Sequence, residues 1–435
     1  MNTSFFYLVL LPPILFEAGY SIKRKKFFKN FGTIVSLAFF GTIISAGIML
    51  VIIYFGSKMT SNPISIIESA TFGAIMSATD TVSVLAVLQQ VPIQPYLYIT
   101  IFGESALNDA VSLIIYRTVT YFATESIHPS MYFTSALESV GVFLGSLLLG
   151  IFLGMFLAKI LKHCEFEEPA TQVTFVFFFA YSSYILGEWL ELSGMVSILF
   201  CGISTAHYAA HYLSHEGALL SKDVIRVFAH ITETIIFVFL GLSIVALGDK
   251  HPEYNPGFIS VGVVAVVLSR LHVFLICGLA NYFRPTFKYS IKHQFFFFFS
   301  GLRGALSYVL AFQLYDMSGY ESKFKQLMLG TTLCIVFISL IIIGSGTISV
   351  LKALKLDLEV KEAELDSPRA SISEKVKLQY FLRKWKYFDK NFLIPFLTRQ
   401  GSIHALYDEI ETSQKLQSLE NTPRQECDIE LTETK

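Results

Sequence analysis

An apolar segment at residues 95–121 contains polar side chains that can bind or carry ions. The segment is about 27 residues long, enough to cross a bilayer as a helix, and it includes Glu104, Asn108 and Asp109. On a helix these three side chains and that of Ser105 gather on one narrow face. Ionisable groups at membrane depth usually mark an ion pathway. The stripe therefore predicts ion binding inside the membrane.

A second carboxylate, Asp80, lies in the preceding apolar segment. A single buried acid can be the structural half of an ion pair, and this is the interpretation that Glu104 alone would receive. Asp109 is interpreted as functional because Asp80 supplies a second intramembrane acid. Competition between H⁺ and a cation for one such carboxylate is sufficient for exchange. The hypothesis from these residues is a transport site at Asp109 and Asp80.

A mid-segment arginine, Arg303, is bracketed by Gly301 and Gly304 in FFFFFSGLRGALSYVL at 295–310. Its guanidinium stays protonated, so at that depth it needs a carboxylate or the negative ends of half-helices. Glu104 is one candidate partner, and Glu233 in the apolar run HITETIIFVFLGLS is the other. An acid that pairs with Arg303 would be structural.

Two apolar segments are predicted to be broken helices. The segment 71–90 is interrupted by small and hydroxyl residues, and the segment 295–310 is interrupted by the two glycines. Paired interruptions at matching positions are typical of inverted-repeat transporters, whose half-helix ends meet near the bilayer centre. The alternative is that glycine and serine only allow close helix packing.

Composition indicates a polytopic membrane protein. Charged residues make up 15% of the 435 residues and hydrophobic residues 53%, against roughly 25% charged residues in soluble domains. The net charge of −1 says little about partners, because the charges lie in loops and in the tail rather than on one face, and no nucleic-acid partner is predicted. The five cysteines form no CxxC pair and indicate no disulfide framework or metal site. No phosphate-binding loop, dinucleotide fingerprint or nucleophile elbow is present, so no cofactor and no enzyme activity is predicted.

Eleven apolar segments are candidate membrane spans. They lie near residues 4–20, 32–55, 65–90, 95–121, 132–161, 171–190, 193–210, 223–247, 257–283, 292–315 and 325–351. If they alternate, the loops on one side hold more lysines and arginines than the loops on the other, which hold only Lys58, Lys250, Lys323 and Lys325, and the more basic side is cytoplasmic by the positive-inside rule. This places the C-terminus in the cytoplasm.

Five motifs in order resemble the signature segments of the eukaryotic sodium/proton exchangers, within the monovalent cation/proton antiporters. They are LLPPILFEAGYS at 10–21, SATD at 77–80, FGESALNDAVS at 102–112, ETIIFVFLGLS at 233–243 and SGLRGA at 300–305. In the tail, WKYFDKNFLIPFLTR at 385–399 resembles a segment of the organellar exchangers of Golgi and endosomes.

The resemblance implies a role for each matching residue. Asp109 would carry the cation and the proton, and Asn108 would complete the asparagine–aspartate pair associated with electroneutral exchange. Thr79 and Asp80 would supply backbone and side-chain oxygens from the crossing of the broken helices, and Ser105 would complete the site. Glu17 would correspond to an acidic position that gates or lines the cytoplasmic funnel. Arg303 would be held by Glu104 or Glu233.

The chain departs from the family pattern in two places. Thr81 stands where the family usually has proline after the aspartate of the first broken helix. The family resembles a fold of thirteen spans, and this sequence opens at what would be the third, so the first two spans are expected to be missing.

The predicted fold is all-α, with about eleven transmembrane helices in an inverted-repeat antiporter arrangement and two broken, crossing helices. The predicted domains are a membrane domain at 1–352, a charged linker at 353–376, an amphipathic cytoplasmic segment at 377–400 and a disordered polar tail at 401–435. The predicted function is electroneutral exchange of Na⁺ or K⁺ for H⁺ by a homodimer, in the Golgi or endosomal membrane more than the plasma membrane, with cytoplasmic regulators acting on the tail. Two alternatives are an inactive or regulatory homologue that lacks the first two spans, and an intramembrane hydrolase with Asp80 and Asp109 as an acid pair.

Overall fold

The computed structural model describes most of the membrane domain. The described residues are 5–22, 24–60, 63–80, 95–124, 130–164, 166, 168–246, 252–283, 289–301, 303–317 and 324–354. Within these ranges the chain is helical, without strands. The predicted linker beyond residue 354, the amphipathic segment and the tail lie outside the described residues, as does Thr81.

Fourteen α-helices are numbered here in chain order within the described part. They are α1 (Leu11–Ser21), α2 (Arg24–Val35), α3 (Gly41–Met59), α4 (Ile66–Ser77), α5 (Pro95–Thr124), α6 (Ser130–Cys164), α7 (Pro169–Trp189), α8 (Gly194–Tyr208), α9 (His215–Ala246), α10 (Pro256–Ser269), α11 (His272–Phe283), α12 (Ile291–Phe299), α13 (Ala305–Asp316) and α14 (Lys325–Ala353). A π-helical turn at Phe6–Leu10 leads into α1, and a second at Ser36–Phe40 joins α2 to α3.

Each predicted apolar segment coincides, wholly or in part, with described helix. In the described part, seven helical stretches are long and apolar enough to cross a membrane, and one of them, Pro256–Tyr282, comprises two helices joined by a tight turn. Two shorter apolar helices, Phe6–Ser21 and Ile66–Ser77, accompany them. The predicted class, an all-α polytopic membrane protein, is confirmed.

Both predicted interruptions occur where the sequence places them. Helix α4 ends at Ser77 and the backbone is no longer helical through residue 80. The second broken segment stops at Phe299 and restarts at Ala305. Side-chain caps fix the outer ends, because Ser65 and Ser290 each form a capping box at the start of α4 and α12.

A third interruption divides the predicted span at 257–283. Helix α10 ends at Ser269 and α11 begins at His272, so Arg270 and Leu271 form a tight turn. The amide groups of both residues donate to carbonyls three residues earlier, Val267 at 3.3 Å and Leu268 at 3.1 Å. No glycine or proline lies at this turn. Because of the turn, Arg270 lies between α10 and α11 and belongs to neither helix.

The helices pack into two groups. In the first group, α8 packs against α1, α6 and α7, and α9 packs against α1 and α7. In the second group, α3 and α5 pack against α4, α10 packs against α3, and α13 packs against α14 and α4. The two half-helix breaks and the Asp109 helix, α5, belong to the second group, and α5 also contacts α6 and α8 of the first group, so it lies at the seam between the groups.

Candidate functional site

The broken end of α4 is held by a stripe of side chains from α5. Ser105 Oγ donates to the Thr79 carbonyl at 2.8 Å, and Ser112 Oγ donates to the Ala74 carbonyl at 2.7 Å. The last carbonyls of a helix have no partner within the helix. The stripe on α5 therefore supplies the hydrogen bonds that let α4 stop inside the membrane.

Asn108 is the central member of this stripe. Its amide nitrogen donates to Thr79 Oγ1 at 2.7 Å and to the Ser77 carbonyl at 3.3 Å. Its amide oxygen lies 2.5 Å from the Thr42 hydroxyl on α3. Asn108 is 3% exposed, and its bonds join three helical elements. Asn108 therefore fixes the break at the end of α4, and it directly precedes Asp109 in the chain.

Arg303 also binds the end of α4. Its Nη1 donates to the carbonyls of Ser77 at 2.8 Å and Ala78 at 3.1 Å, and its Nη2 donates to Ser269 Oγ at 3.2 Å. The side chain is fully buried. A helix carries partial negative charge at its carboxyl end, so the guanidinium is compensated by the half-helix.

The predicted partner of Arg303 is therefore corrected. The carboxylate of Glu104 pairs with Arg270, with Nη1 and Oε1 2.7 Å apart and both side chains buried. The hydrogen bonds of Arg303 go to backbone carbonyls and a hydroxyl rather than to Glu104 or Glu233. The physical reason is that orphan carbonyls at a helix end can take the place of a carboxylate for a buried cation.

Arg270 binds a helix-end carbonyl at the second break, as Arg303 does at the first. Its Nη2 donates to the Phe297 carbonyl at 2.6 Å, in the last turn of α12. A Cβ atom at Gly301 would lie 2.2 Å from Arg270 Nε, so only glycine leaves room for this side chain. Each broken helix thus has one arginine at the carboxyl end of its first half, and Glu104 balances the charge of Arg270.

Asp109 differs from the other polar groups of the stripe. Its Oδ1 is buried and has no hydrogen-bond partner. Asp80 is close enough for the two carboxylates to repel each other. A buried acceptor without a partner is costly and is rare in native proteins. Such an atom, next to a second acid, is suited to bind a proton or a cation.

Asp80 lies against the second broken helix. A Cβ atom built on Gly304 would be 2.0 Å from Asp80 Cβ and 2.2 Å from its Oδ2, so the two chain segments touch. Gly304 is the N-cap residue of α13. The positive end of α13 therefore faces the Asp80 carboxylate and stabilises its charge.

Glu233 and Glu17 belong to the same acidic region. The carboxylate of Glu233 on α9 experiences the charges of both Asp80 and Glu17. Glu17 on α1 accepts a hydrogen bond from Ser21 Oγ at 2.6 Å. Both side chains are only partly buried. Glu17, Glu233 and Asp80 are therefore near enough to one another for their charges to interact.

Two residues of the site were missed by the sequence analysis. Arg270 lies in the apolar segment 257–283, and the rule that singled out Arg303 applies to it equally, so the signal was present. Thr42 is one of many hydroxyl residues in apolar helices, and no sequence signal distinguishes it before its contact with Asn108 is known.

Comparison with known proteins identifies the family of the chain. Residues 1–353 match the family model described as "Sodium/hydrogen exchanger, transmembrane". The chain belongs to the sodium/hydrogen exchanger family. The match covers the whole of the described helical part, including both broken helices and α5.

Curated relatives support the assignment to the exchanger family. An uncharacterized Na(+)/H(+) antiporter of Schizosaccharomyces pombe is 36% identical over 380 residues, which are 84% of this chain and 65% of that protein. Sodium/hydrogen exchanger 9 of Equus caballus is 32% identical over 91% of this chain and 64% of its own length. Sodium/hydrogen exchanger 8 of Homo sapiens is 33% identical over 91% of this chain and 72% of its own length. The chain thus spans about two thirds of these exchangers.

The fold is also that of a solved antiporter. The sodium proton antiporter MjNhaP1 of Methanocaldococcus jannaschii superposes with a TM-score of 0.61 at 19% identity, covering 79% of this chain and 84% of that one. The predicted antiporter fold of this exchanger-family chain is confirmed.

Proposed function

We propose that the chain exchanges a monovalent cation, Na⁺ or K⁺, for H⁺ across a membrane. The observation that carries the proposal is the buried Oδ1 of Asp109, which has no hydrogen-bond partner among the described residues, together with the nearby Asp80, which lies against the second break. The relatives named as sodium/hydrogen exchangers and the antiporter fold support it. No prosthetic group and no ATP is needed for exchange at a single carboxylate.

Asp109 is the exchanging group in this proposal, and Asp80 is its neighbour in cation binding. The carboxylate binds H⁺ in one step and the cation in the other, and carboxylate oxygens suit a hard cation. Thr79 and Ser105 already bind each other through the Thr79 carbonyl, so they shape the site beside the cation. Glu17 and Glu233 supply negative charge along the approach.

The exchange is electroneutral in this proposal. A single carboxylate is neutral whether it holds one proton or one monovalent cation, so the same net charge crosses in both directions. Asn108 keeps the stoichiometry at one, because it is an uncharged neighbour whose amide nitrogen and oxygen are engaged with Thr79, Ser77 and Thr42.

The cellular setting is part of the proposal. The organellar exchangers 8 and 9 are among the relatives, and the tail motif resembles the same branch, so we infer a Golgi or endosomal membrane. The C-terminus faces the cytoplasm, where regulators act on the tail, and the protein is a homodimer.

The test is cation-driven proton flux in proteoliposomes of the full chain, measured with Na⁺ and then with K⁺. Asp109→Asn removes the titrating group with little change in shape, and we expect less than about a tenth of the parent flux, since loss of one essential ligand removes the exchanging step. Asp223→Asn, an exposed acid on α9, is the matched control and retains parent flux.

The alternatives predict other outcomes. If the chain is an inactive homologue, the parent protein shows no proton flux with either cation. If it is a hydrolase, the parent protein also shows no flux, but it cleaves a membrane-embedded substrate, and Asp109→Asn abolishes that cleavage. Retained flux in Asp109→Asn contradicts the assignment of Asp109.

A further inference from the structure

A cavity of about 250 Å³ lies beside the carboxyl-terminal half of α5. Leu113 and Arg117 line it, and Asp109, Leu113 and Arg117 follow one another at intervals of four residues, so they occupy one face of the helix. Leu113 is about 6 Å farther along the helix axis than Asp109, one helical turn. The cavity therefore ends one turn away from the ion-binding carboxylate.

Two polar contacts at this cavity join the two groups of helices. Arg117 Nη2 on α5 is 2.9 Å from Glu188 Oε2 on α7. Tyr7, in the π-helical turn before α1, donates from its hydroxyl to Gln313 Oε1 on α13 at 3.2 Å. In both cases one partner belongs to the first group and the other to the second. These two contacts hold the two groups of helices together beside the carboxyl-terminal half of α5.

Glu188 is fixed to the first group independently of Arg117. Its Oε1 accepts the backbone N–H of Gly194 at 3.0 Å, at the first residue of α8, where a helix amide has no other partner. The side chain of Arg117 is 50% exposed and that of Glu188 is 30% exposed. A pair with this exposure is weak, so it can open and re-form during a transport cycle while Glu188 stays in place.

We propose that Arg117 and Glu188 form a gate at this cavity, with Leu113 as the apolar plug between the cavity and Asp109. The proposal rests on the proposed function of Asp109. In the structure the gate is closed, because the ion pair is formed and Leu113 is 2% exposed. When Arg117 leaves, the Glu188 carboxylate is available to an arriving cation and Leu113 is exposed to water.

The test measures access to the plug. The full chain carrying Leu113→Cys is reconstituted in liposomes, and the rate at which a charged, membrane-impermeant methanethiosulfonate labels position 113 is measured. Adding Arg117→Gln or Glu188→Gln is expected to raise this rate about two- to five-fold, the range for loss of a partly exposed ion pair. Glutamine at 188 keeps the acceptor for the Gly194 amide, so α8 remains capped.

Two controls accompany the measurement. Arg117→Lys keeps a cation opposite Glu188 and leaves the Gly194 amide its acceptor, so the labelling rate is expected to stay near that of the Leu113→Cys parent. Arg226→Gln removes an exposed arginine of α9 and leaves the rate unchanged. If Leu113→Cys does not assemble, Tyr184→Cys on the opposite cavity wall is labelled instead.

Unchanged labelling in both single-charge variants would overturn the gate. The measurement needs no transport, so its result is separate from that for the proposed function. Faster labelling without cation-driven flux in the parent retains the gate and removes the antiport proposal. Cation-driven flux in the parent with unchanged labelling in both single-charge variants retains the antiport proposal and removes the gate.

Discussion

The two buried arginines solve the same electrostatic problem in different ways. Arg303 is balanced by the carbonyls that end α4, and Arg270 is balanced by Glu104 together with a carbonyl that ends α12. A buried charge without compensation costs several kcal/mol. Because both arginines are compensated by structural groups, neither of them pairs with Asp109 within the described part of the chain, which leaves Asp109 available for the proposed exchange.

The Glu104–Arg270 pair can be tested by a double-mutant cycle. Arg270→Met leaves the Glu104 carboxylate buried alone, and we expect a loss of about 3–5 kcal/mol in unfolding free energy. Adding Glu104→Gln removes the stranded charge, so the double variant should lose less than the sum of the single losses. Thermal unfolding of detergent-solubilised protein measures each corner of the cycle.

The matched cycle uses Glu104→Gln with Arg303→Met. Arg303 donates its hydrogen bonds to the end of α4 and not to Glu104. The coupling energy between Glu104 and Arg303 is therefore expected to be clearly smaller than that between Glu104 and Arg270. A larger coupling for Arg303 than for Arg270 would contradict the observed pairing.

At the residue scale, sequence could predict which groups are unusual but not which groups meet. Residue type and membrane depth single out Asp109, Asp80 and Arg303. The partner of Arg303 depends on backbone carbonyls, which every residue has, so the sequence cannot distinguish them. The partner of Glu104 depends on a turn at Arg270 that carries no glycine or proline signal.

At the element scale, the site exists because helices end inside the membrane. Carbonyl groups at such ends need partners, and α5 together with Arg303 supplies them to α4. Small and hydroxyl residues predicted the two broken helices, because only such residues let chain segments approach closely and accept side-chain hydrogen bonds. The break between α10 and α11 arises from tertiary packing around Arg270, and local sequence could not reveal it.

Gly304 tests whether the contact between the two breaks matters for transport. Gly304→Ala places a methyl group 2.0 Å from Asp80 Cβ, so the breaks must move apart. We expect about 1–3 kcal/mol of destabilisation from overpacking and a loss of most of the cation-driven flux. Flux per folded molecule in proteoliposomes measures the effect.

Gly278→Ala on α11 is the matched control, because a Cβ atom there meets nothing within 4 Å. It is expected to keep parent flux. Equal flux in the two variants would show that the contact between Asp80 and Gly304 is not needed for exchange.

At the scale of the whole molecule, Asp109, the proposed exchanging group, lies on α5, a helix that contacts both groups of helices. The charges of Asp80 and Glu17 act on the partly buried Glu233, and the cavity with its ion pair lies beside the carboxyl-terminal half of α5. Apolar segment length and order predicted the polytopic fold. The division into two groups could not be predicted, because it depends on which apolar faces pack together and apolar faces are alike in composition.

Cation binding to the folded chain should therefore stabilise the whole molecule in a pH-dependent way. A ligand that binds only the folded state adds about 2.7 kcal/mol at a concentration one hundred times its Kd. The proton must leave Asp109 before the cation binds, so lowering the pH weakens cation binding and reduces this stabilisation. The Tm of detergent-solubilised protein, measured with NaCl or KCl against choline chloride at equal ionic strength, is expected to rise more at high pH than at low pH. Asp109→Asn should abolish the cation-specific rise, whereas Asp223→Asn should retain it. A rise that is independent of pH, or that persists in Asp109→Asn, would show that cation and proton do not compete at this carboxylate.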